Sequence, residues 1–534
     1  MREIKSHINQ ISALVIGLLC VLVLHLSGLV TLFAESPMSY KQSLDFEENV
    51  RVETDANGTQ SVEVIHPNLS LMYSTNGGDE CLNAGTILDL ETVTNNNLIQ
   101  QPYAWKSKAA DWNLPAHHSV SCFLINPKTK ERSDMIQFER SSGFIAQLPQ
   151  LSIHLSQTDF NSESAGLYAM GCNSWSMEKF NEAWWYRKAN FNQRGSEWEK
   201  QVHFLFEDET ITIRQKGGLK VSGNATRGFP QKSFKLYARK QYGSTEINGG
   251  ILHQDFDYQS LVLRTSGNDN TKTLFADLLM HQLAEKRLLT QNGKAVHLFI
   301  NGNYWGIYNI RERISIENLA LRFDKKIDKI TLLEDGAAEL KDGDPEQKQK
   351  FDDLIAKVEE MDKVDAKLYT KIQDKIDIQS LCNYIFFETY FANNDWPNNN
   401  SICYKIKKEK WQWMMNDLDY SLAYPGADNV NKNMFDHLKN RQAKVAILFN
   451  KLLTNKEFKS TFKAICEKRM EDDLSDQRMQ DCFDGLKNKL EQDIDFHIGR
   501  WRAFNREEWE MNCQANLDFL LQRKAIYKQH LEAL

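Results

Sequence analysis

No two cysteines in this 534-residue chain are spaced as C-x-x-C, although it contains nine, so zinc knuckles and thioredoxin-type redox chemistry are without support. There is no G-x-x-x-x-G-K-[ST] and no strict G-x-G-x-x-G, so no loop carries a standard phosphate-binding fingerprint. Positive charge is in deficit, 65 Lys plus Arg against 72 Asp plus Glu for a net charge of −7. With no basic tail or stripe, non-specific nucleic-acid binding is excluded. His117, His118, His154, His281 and His297 form no metal-spaced set. Hydrophobic residues at 41% and charged residues at 26% exclude disorder, collagen, coiled coil and a polytopic membrane protein.

One long apolar run is present, residues 11–33, preceded by Arg2 and Lys5. At 1.5 Å per residue it is long enough for a ~30 Å hydrocarbon core, and the positive flank sends the rest of the chain outside. Residues 1–34 read as a membrane anchor or signal peptide. Leu32 is bulky where a cleavage site needs a small residue, which favours the uncleaved anchor. Eight cysteines follow Cys20, and export permits disulfides, with Cys81–Cys122 and Cys466–Cys482 as local candidates and free buried thiols as the alternative.

Residues 35–151 read as a small β-sandwich, with short strands at 69–74, 86–90 and 119–125 bounded by Asn- and Gly-rich turns. Residues 72–78, MYSTNGG, resemble the β-domain appended to chitobiases and many bacterial surface proteins. That resemblance implies a carbohydrate contact.

From about residue 152 an ordered series of elements begins. Alternating strands at 198–206 and 209–215 lead to the loop 222–230, SGNATRGFP, and then to a strand at 232–238 carrying Lys232 and Lys235. A loop of this composition offers N–H groups and a cation to phosphates, and a strand Lys adds a point charge. A helix at 273–288 carries Asp277 and Glu285, and Asn301-Gly302-Asn303 turns a hairpin of 295–300 and 304–310 that runs into Arg311-Glu312-Arg313. Helical periodicity marks residues 351–361 and 378–391. Pro397 then breaks the helix, leaving Asp395 and Asn398 to Asn400 on a loop. A hairpin of 401–406 and 411–415 delivers Asn416-Asp417-Leu418-Asp419 at a strand end. An Asp, an Asn five residues on, a hairpin and another Asp is the order in which protein kinases supply a base and two metal ligands. The remaining residues, 431–534, are helical, with Trp501 and Trp509 assigned to packing of the larger lobe.

The phrases RGFPQKSFK (227–235), LVLRTSGND (261–269), INGNYWGIY (300–308), Asn394-Asp395 with Asn399-Asn400, and Asp417-Leu418-Asp419 together resemble the CotH family of atypical, kinase-like proteins over roughly residues 160–530. The resemblance implies an α+β, two-lobed protein-kinase-like domain over 152–534, its smaller lobe about 152–313 and its larger about 314–534. It implies ATP- and Mg²⁺- or Mn²⁺-dependent phosphorylation of surface or coat proteins, chiefly on Ser, with Thr as second acceptor. The alternative is a catalytically inactive kinase-fold surface protein for adhesion or assembly. Carried over, Asp395 orients or deprotonates the acceptor hydroxyl. Asn400 and Asp417 hold the metal, with Asn399 and Asp419 able to exchange those roles. Lys232 or Lys235 pairs the nucleotide phosphates, the resemblance favouring Lys232. Arg227 is a phosphate contact and Glu312 sits at the hinge near the adenine. Two departures stand out: Ala276 precedes Asp277 where relatives carry Arg, and the helix acid that would brace the Lys is either Asp277 or Glu285.

Overall fold

The computed structural model describes residues 42–54, 60–74, 81–90, 117–141, 146–171, 188–247, 249–253, 256–334, 336 and 339–534. The apolar run 11–33, the turn residues 76–78 and 95–97, and Cys172 lie outside the described residues. Among those described, no helix is long and apolar enough to cross a membrane.

Backbone contacts divide the chain into two units. In the N-terminal unit the strands Val50–Thr54, Gln60–Val64 and Ile87–Asp89 form a three-stranded antiparallel sheet; a separate six-stranded sheet is built around His117–Ile125. Alternation explains the burial: Val62 and Val64 point inward from one strand while Ser61 and Glu63 do not. The expected disulfides are absent. Cys122, Cys466 and Cys482 are free thiols, Cys122 buried, so neither expected pair forms. Cys466 sits in the helical core beside the Tyr527 hydroxyl, where burial pushes its thiol pKa up, so it behaves as a small hydrophobe.

The second unit starts with a closed seven-stranded barrel rather than an open sheet. Around the barrel run Gln150–His154, Lys200–Glu207, Thr212–Val221, Phe234–Tyr237, Ser260–Arg264, Asn303–Glu312 and Gly293–Ile300. Every pairing is antiparallel except the closing one between the first and last of these. Closure removes the sheet edges. Asn301 and Gly302 supply the positive φ values, 47° and 77°, that the hairpin turn demands. The Asn301 side chain also accepts from Leu155 N–H and donates to Leu155 C=O, pinning this hairpin to the first strand. Trp501, expected in the larger lobe, instead caps the barrel: its ring meets Trp305 edge-on at 5.8 Å and its N–H bonds the Trp305 carbonyl.

Beyond the barrel stand a four-stranded antiparallel sheet and most of the thirteen α-helices among the described residues. The sheet order is Glu339–Asp342, Ile330–Glu334, Ile402–Ile406, Gln412–Met414. Ile378–Tyr390 is the central helix, and eleven of its thirteen residues are buried. At ~1.5–3 kcal/mol for each fully buried large apolar side chain, it organises the lobe. It ends at Tyr390, well before Pro397. The stop comes from Ala392 in the left-handed region at φ 54°, closed by the Asn393 N–H bond to the Glu388 carbonyl. The helix expected at 273–288 forms over Ala276–Ala284. Its first turn is capped from the preceding loop by Asp269, which accepts from Thr273 N–H, Thr273 Oγ1 and Ala276 N–H. Burial pushes that carboxyl up to about 6.

Candidate functional site

The central helix delivers residues 393–400, and the Gln412–Met414 strand delivers residues 416–420. The two segments are tied by the Asn394 N–H bond to Tyr420 C=O (3.0 Å) and by Asn416 Nδ2 to Asn400 C=O (3.4 Å). Asp395 is exposed at the loop tip. Its Oδ1 accepts from Asn399 Nδ2 at 2.8 Å and its Oδ2 from Asn400 Nδ2 at 3.1 Å. These two amides fix the carboxylate plane without cancelling its charge. Asn399 is thereby an orienting partner of Asp395.

Asn393 is the hub beneath. Its Oδ1 accepts the Asp395 N–H at 3.2 Å, and its Nδ2 donates to Glu388 Oε2 at 2.9 Å and to Asp417 C=O at 3.4 Å. Glu388 is fully buried, and burial pushes its carboxyl up to about 8. The folded state thus holds a proton that the unfolded chain releases near ~4.3. Stability from this group is full below ~4.3 and falls as pH rises toward about 8. Glu388→Gln is expected to flatten that part of the pH profile, raising the melting temperature relative to wild type most at the alkaline end. Parallel melting curves across this range check it, and an unchanged difference at every pH refutes it.

Asp417 and Asp419 flank Arg264, the last residue of its barrel strand. The Arg264 guanidinium bonds Asp417 Oδ1 and, at 2.8 Å, Asp419 Oδ2. Both Asp419 oxygens are spent, because Asn268 adds its N–H to Oδ2 at 3.0 Å and its Nδ2 to Oδ1 at 2.9 Å. Burial, then the charge of Asp417, pushes the Asp419 carboxyl well above the usual range, against the pull of Arg264 and Asn268. Gly267 at φ 59° is required here, since a Cβ would collide with the Asp419 carboxylate. Asp419 therefore holds Arg264 and Asn268 in place, where exchange of the metal-holding role with Asp417 was expected. Asp417 Oδ2 and Asn400 Oδ1 have no hydrogen-bond partner among the described residues.

The helix acid is Asp277, not Glu285, which is exposed. Asp277 accepts the Leu418 N–H at 2.7 Å and pairs with Arg311, with Arg264 Nε at 3.6 Å. Its pKa is held well down by Arg311 and Arg264 despite burial. It braces two arginines where a kinase helix acid was expected to brace a lysine.

The expected phosphate contacts are rearranged. Lys232 is fully buried and donates to the carbonyls of Arg227 and Phe229, both at 2.9 Å, over the Phe191 ring at 4.1 Å. Burial pushes its ammonium down to about 7. Arg227 is spent likewise, on the carbonyls of Gly223, Val221, Phe191 and Gln193. Both cations hold the 222–230 loop from inside, with their donors on backbone carbonyls where phosphate contacts were expected. The strand expected from 232 begins at Phe234, so Lys232 stays in the loop before it; Lys235 is in the strand, in register with Lys220, and makes no hydrogen bond or ion pair among the described residues. Burial, then Arg313 and Lys341, pushes its ammonium down to about 8. Glu334, whose charge opposes that shift, pairs with Lys341 at 2.8 Å. Glu312 stands where the chain leaves the barrel, but its carboxylate is consumed by Tyr258 Oη at 2.7 Å, Asn292 N–H at 3.1 Å and Arg322.

As a donor set, Asp417 Oδ2 and Asn400 Oδ1 are hard oxygens of the kind Mg²⁺ takes when phosphates complete its shell. No group of three or more His, Cys, Asp or Glu among the described residues is arranged to hold a metal by itself. The residues fit a metal carried in with a polyphosphate.

Sequence reading missed Arg264, Arg311, Asn268, Asn393 and Glu388. Arg264 and Asn268 lie inside a phrase that carries the resemblance, but nothing in the linear order says that a barrel strand end meets residues 417–419. Comparison with curated proteins returns no match. The profile of the family described as CotH kinase protein matches residues 213–527, more than half of the chain and the whole of the site just described. The chain belongs to the CotH kinase family.

Proposed function

We propose that this chain is an exported protein kinase that transfers the γ-phosphoryl group of ATP to Ser or Thr hydroxyls of surface or coat proteins. What supports the reading is the joining of Asp395, Asn400 and Asp417 on two adjoining loops, with Asp395 exposed and two hard oxygens unpartnered. Mg²⁺ or Mn²⁺ with ATP, when bound, supplies the transferable group and the charge neutralisation that transfer needs. Asp395 accepts a hydrogen bond from the acceptor hydroxyl and takes its proton, while Asn399 and Asn400 keep the carboxylate aimed. Lys235, with Arg313 behind it, binds phosphate oxygens. Asp417 and Asn400 hold the metal. Export rests on the apolar run 11–33, and a carbohydrate contact on the N-terminal β-domain, both from sequence. An idle kinase-fold surface protein is the competing reading.

The test is the melting temperature of the full chain with millimolar ATP and either metal. A ligand that binds only the native state raises it by mass action. The rise is expected to require metal and to be largely lost in Lys235→Ala. Lys232→Ala is expected to lower the unliganded melting temperature, because two loop carbonyls lose their donor. No rise with folded wild type overturns the nucleotide reading; loss of the rise in Lys232→Ala alone overturns the assignment of Lys235.

A further inference from the structure

Two carboxylates within reach of a single guanidinium nitrogen repel each other unless a cation lies between them. At Asp417 and Asp419 that cation is Arg264, held from behind by Asp277 at 3.6 Å and placed by its strand pairing with Asn309. A divalent ion bridging the same carboxylates is the other physical solution, and the two exclude each other. Arg264 cannot be neutralised by losing its proton under ordinary conditions.

We infer that Arg264 takes the place of a second divalent cation, so that the site binds a single metal ion, on Asp417 Oδ2 and Asn400 Oδ1, and binds it with the nucleotide. The inference rests on the kinase reading above and specifies its metal requirement. Three carboxylates, Asp277, Asp417 and Asp419, already face two guanidinium groups, Arg264 and Arg311. The remaining negative charge is small, too small to hold a hard, strongly hydrated dication without phosphate oxygens. Asp419 would have to give up bonds to Asn268 N–H, Asn268 Nδ2 and Arg264 before it could ligate. Arg264 is thus a positioning residue: it sets how many metal ions enter and which Asp417 oxygen remains for them.

The experiment counts Mn²⁺ bound to the full chain by electron paramagnetic resonance of free Mn²⁺, with and without a non-hydrolysable ATP analogue. Wild type is expected to bind one Mn²⁺ per bound nucleotide and little without nucleotide. Arg264→Gln is expected to bind two. It should also bind Mn²⁺ alone about tenfold tighter or more, since removing a unit positive charge ~4 Å away is worth at least this even at the dielectric constant of water. Arg264→Lys, which keeps a cation there, is expected to stay at one. Two Mn²⁺ per nucleotide in wild type overturns the inference, and does so even if the Arg264 variants fail to fold. A folded Arg264→Gln with unchanged count and affinity overturns it as well. Wild type that binds neither nucleotide nor Mn²⁺ refutes the kinase reading and this inference with it, whereas nucleotide binding with two metals refutes the inference alone.

Discussion

Asp395→Asn is expected to cut phosphoryl transfer by about 10²- to 10⁴-fold, the range typical of losing a positioned general base, while leaving the ATP-induced rise in melting temperature largely intact. The separation follows from geometry. Asp395 is exposed, an Asn in its place still accepts from one of the two amides that bond it, and it carries none of the burial that would couple it to stability. Asp417→Asn is expected to lose both transfer and much of the thermal rise, because it removes a charge from the metal-holding oxygens and leaves Arg264 with Asp419 and Asp277 only. Incorporation of radiolabelled phosphate, into the protein itself or a Ser-rich acceptor, is read beside melting curves for all three proteins. Wild type that binds ATP with either metal yet incorporates nothing establishes the inactive-surface-protein reading. Equal labelling of all three makes Asp395 and Asp417 ordinary loop residues.

Asp277→Ala is expected to destabilise the fold by about 3–5 kcal/mol, the cost of stranding a buried charge. Buried Arg311 then loses its ion-pair partner, and Leu418 N–H loses its acceptor. Against a typical ~5–15 kcal/mol of total stability this is a large fraction. Urea unfolding measures it, and a loss no greater than that of a surface substitution refutes the bracing role. The double variant Asp277→Ala, Arg311→Met is expected to recover part of the loss, since no unpaired cation remains. The acid limb carries the same information. The folded pKa of Asp277 is depressed, so its stabilisation is complete above the unfolded value of ~3.9 and is lost as pH falls through the folded value. Asp277→Ala should therefore flatten the acid limb below ~3.9.

Local chemistry made part of this legible. Asn301-Gly302 can hardly be anything but a hairpin turn, because it supplies two residues that tolerate positive φ, and the hairpin forms there. The central helix was readable from its apolar spacing, over Ile378–Tyr390 against an expected 378–391. Its stop lies before Pro397, at a residue the sequence does not flag. Pro397 is a visible breaker, whereas Ala392 in the left-handed region has no marker in the sequence. Lys232 and Lys235 show the same limit. Their odd spacing would set them on opposite faces of one strand, but the strand begins only at Phe234, so Lys232 belongs to the loop and Lys235 alone to the barrel wall.

What the sequence determined by itself is the list of reactive groups and the order in which the chain presents them: Asp395 with Asn399 and Asn400, then Asp417 and Asp419, after a loop, a Lys strand and an acid-bearing helix. Turn propensity, side-chain periodicity and residue chemistry are local, and they survive without knowledge of the fold. Only the tertiary structure decided which charges meet. Arg264 reaches residues more than 150 positions away, Asp277 turns to Arg311 rather than to a lysine, and Lys232 and Arg227 spend their donors on loop carbonyls. The physical reason is that a charge acts through distance and solvent exposure, and both are set by packing between segments remote in sequence.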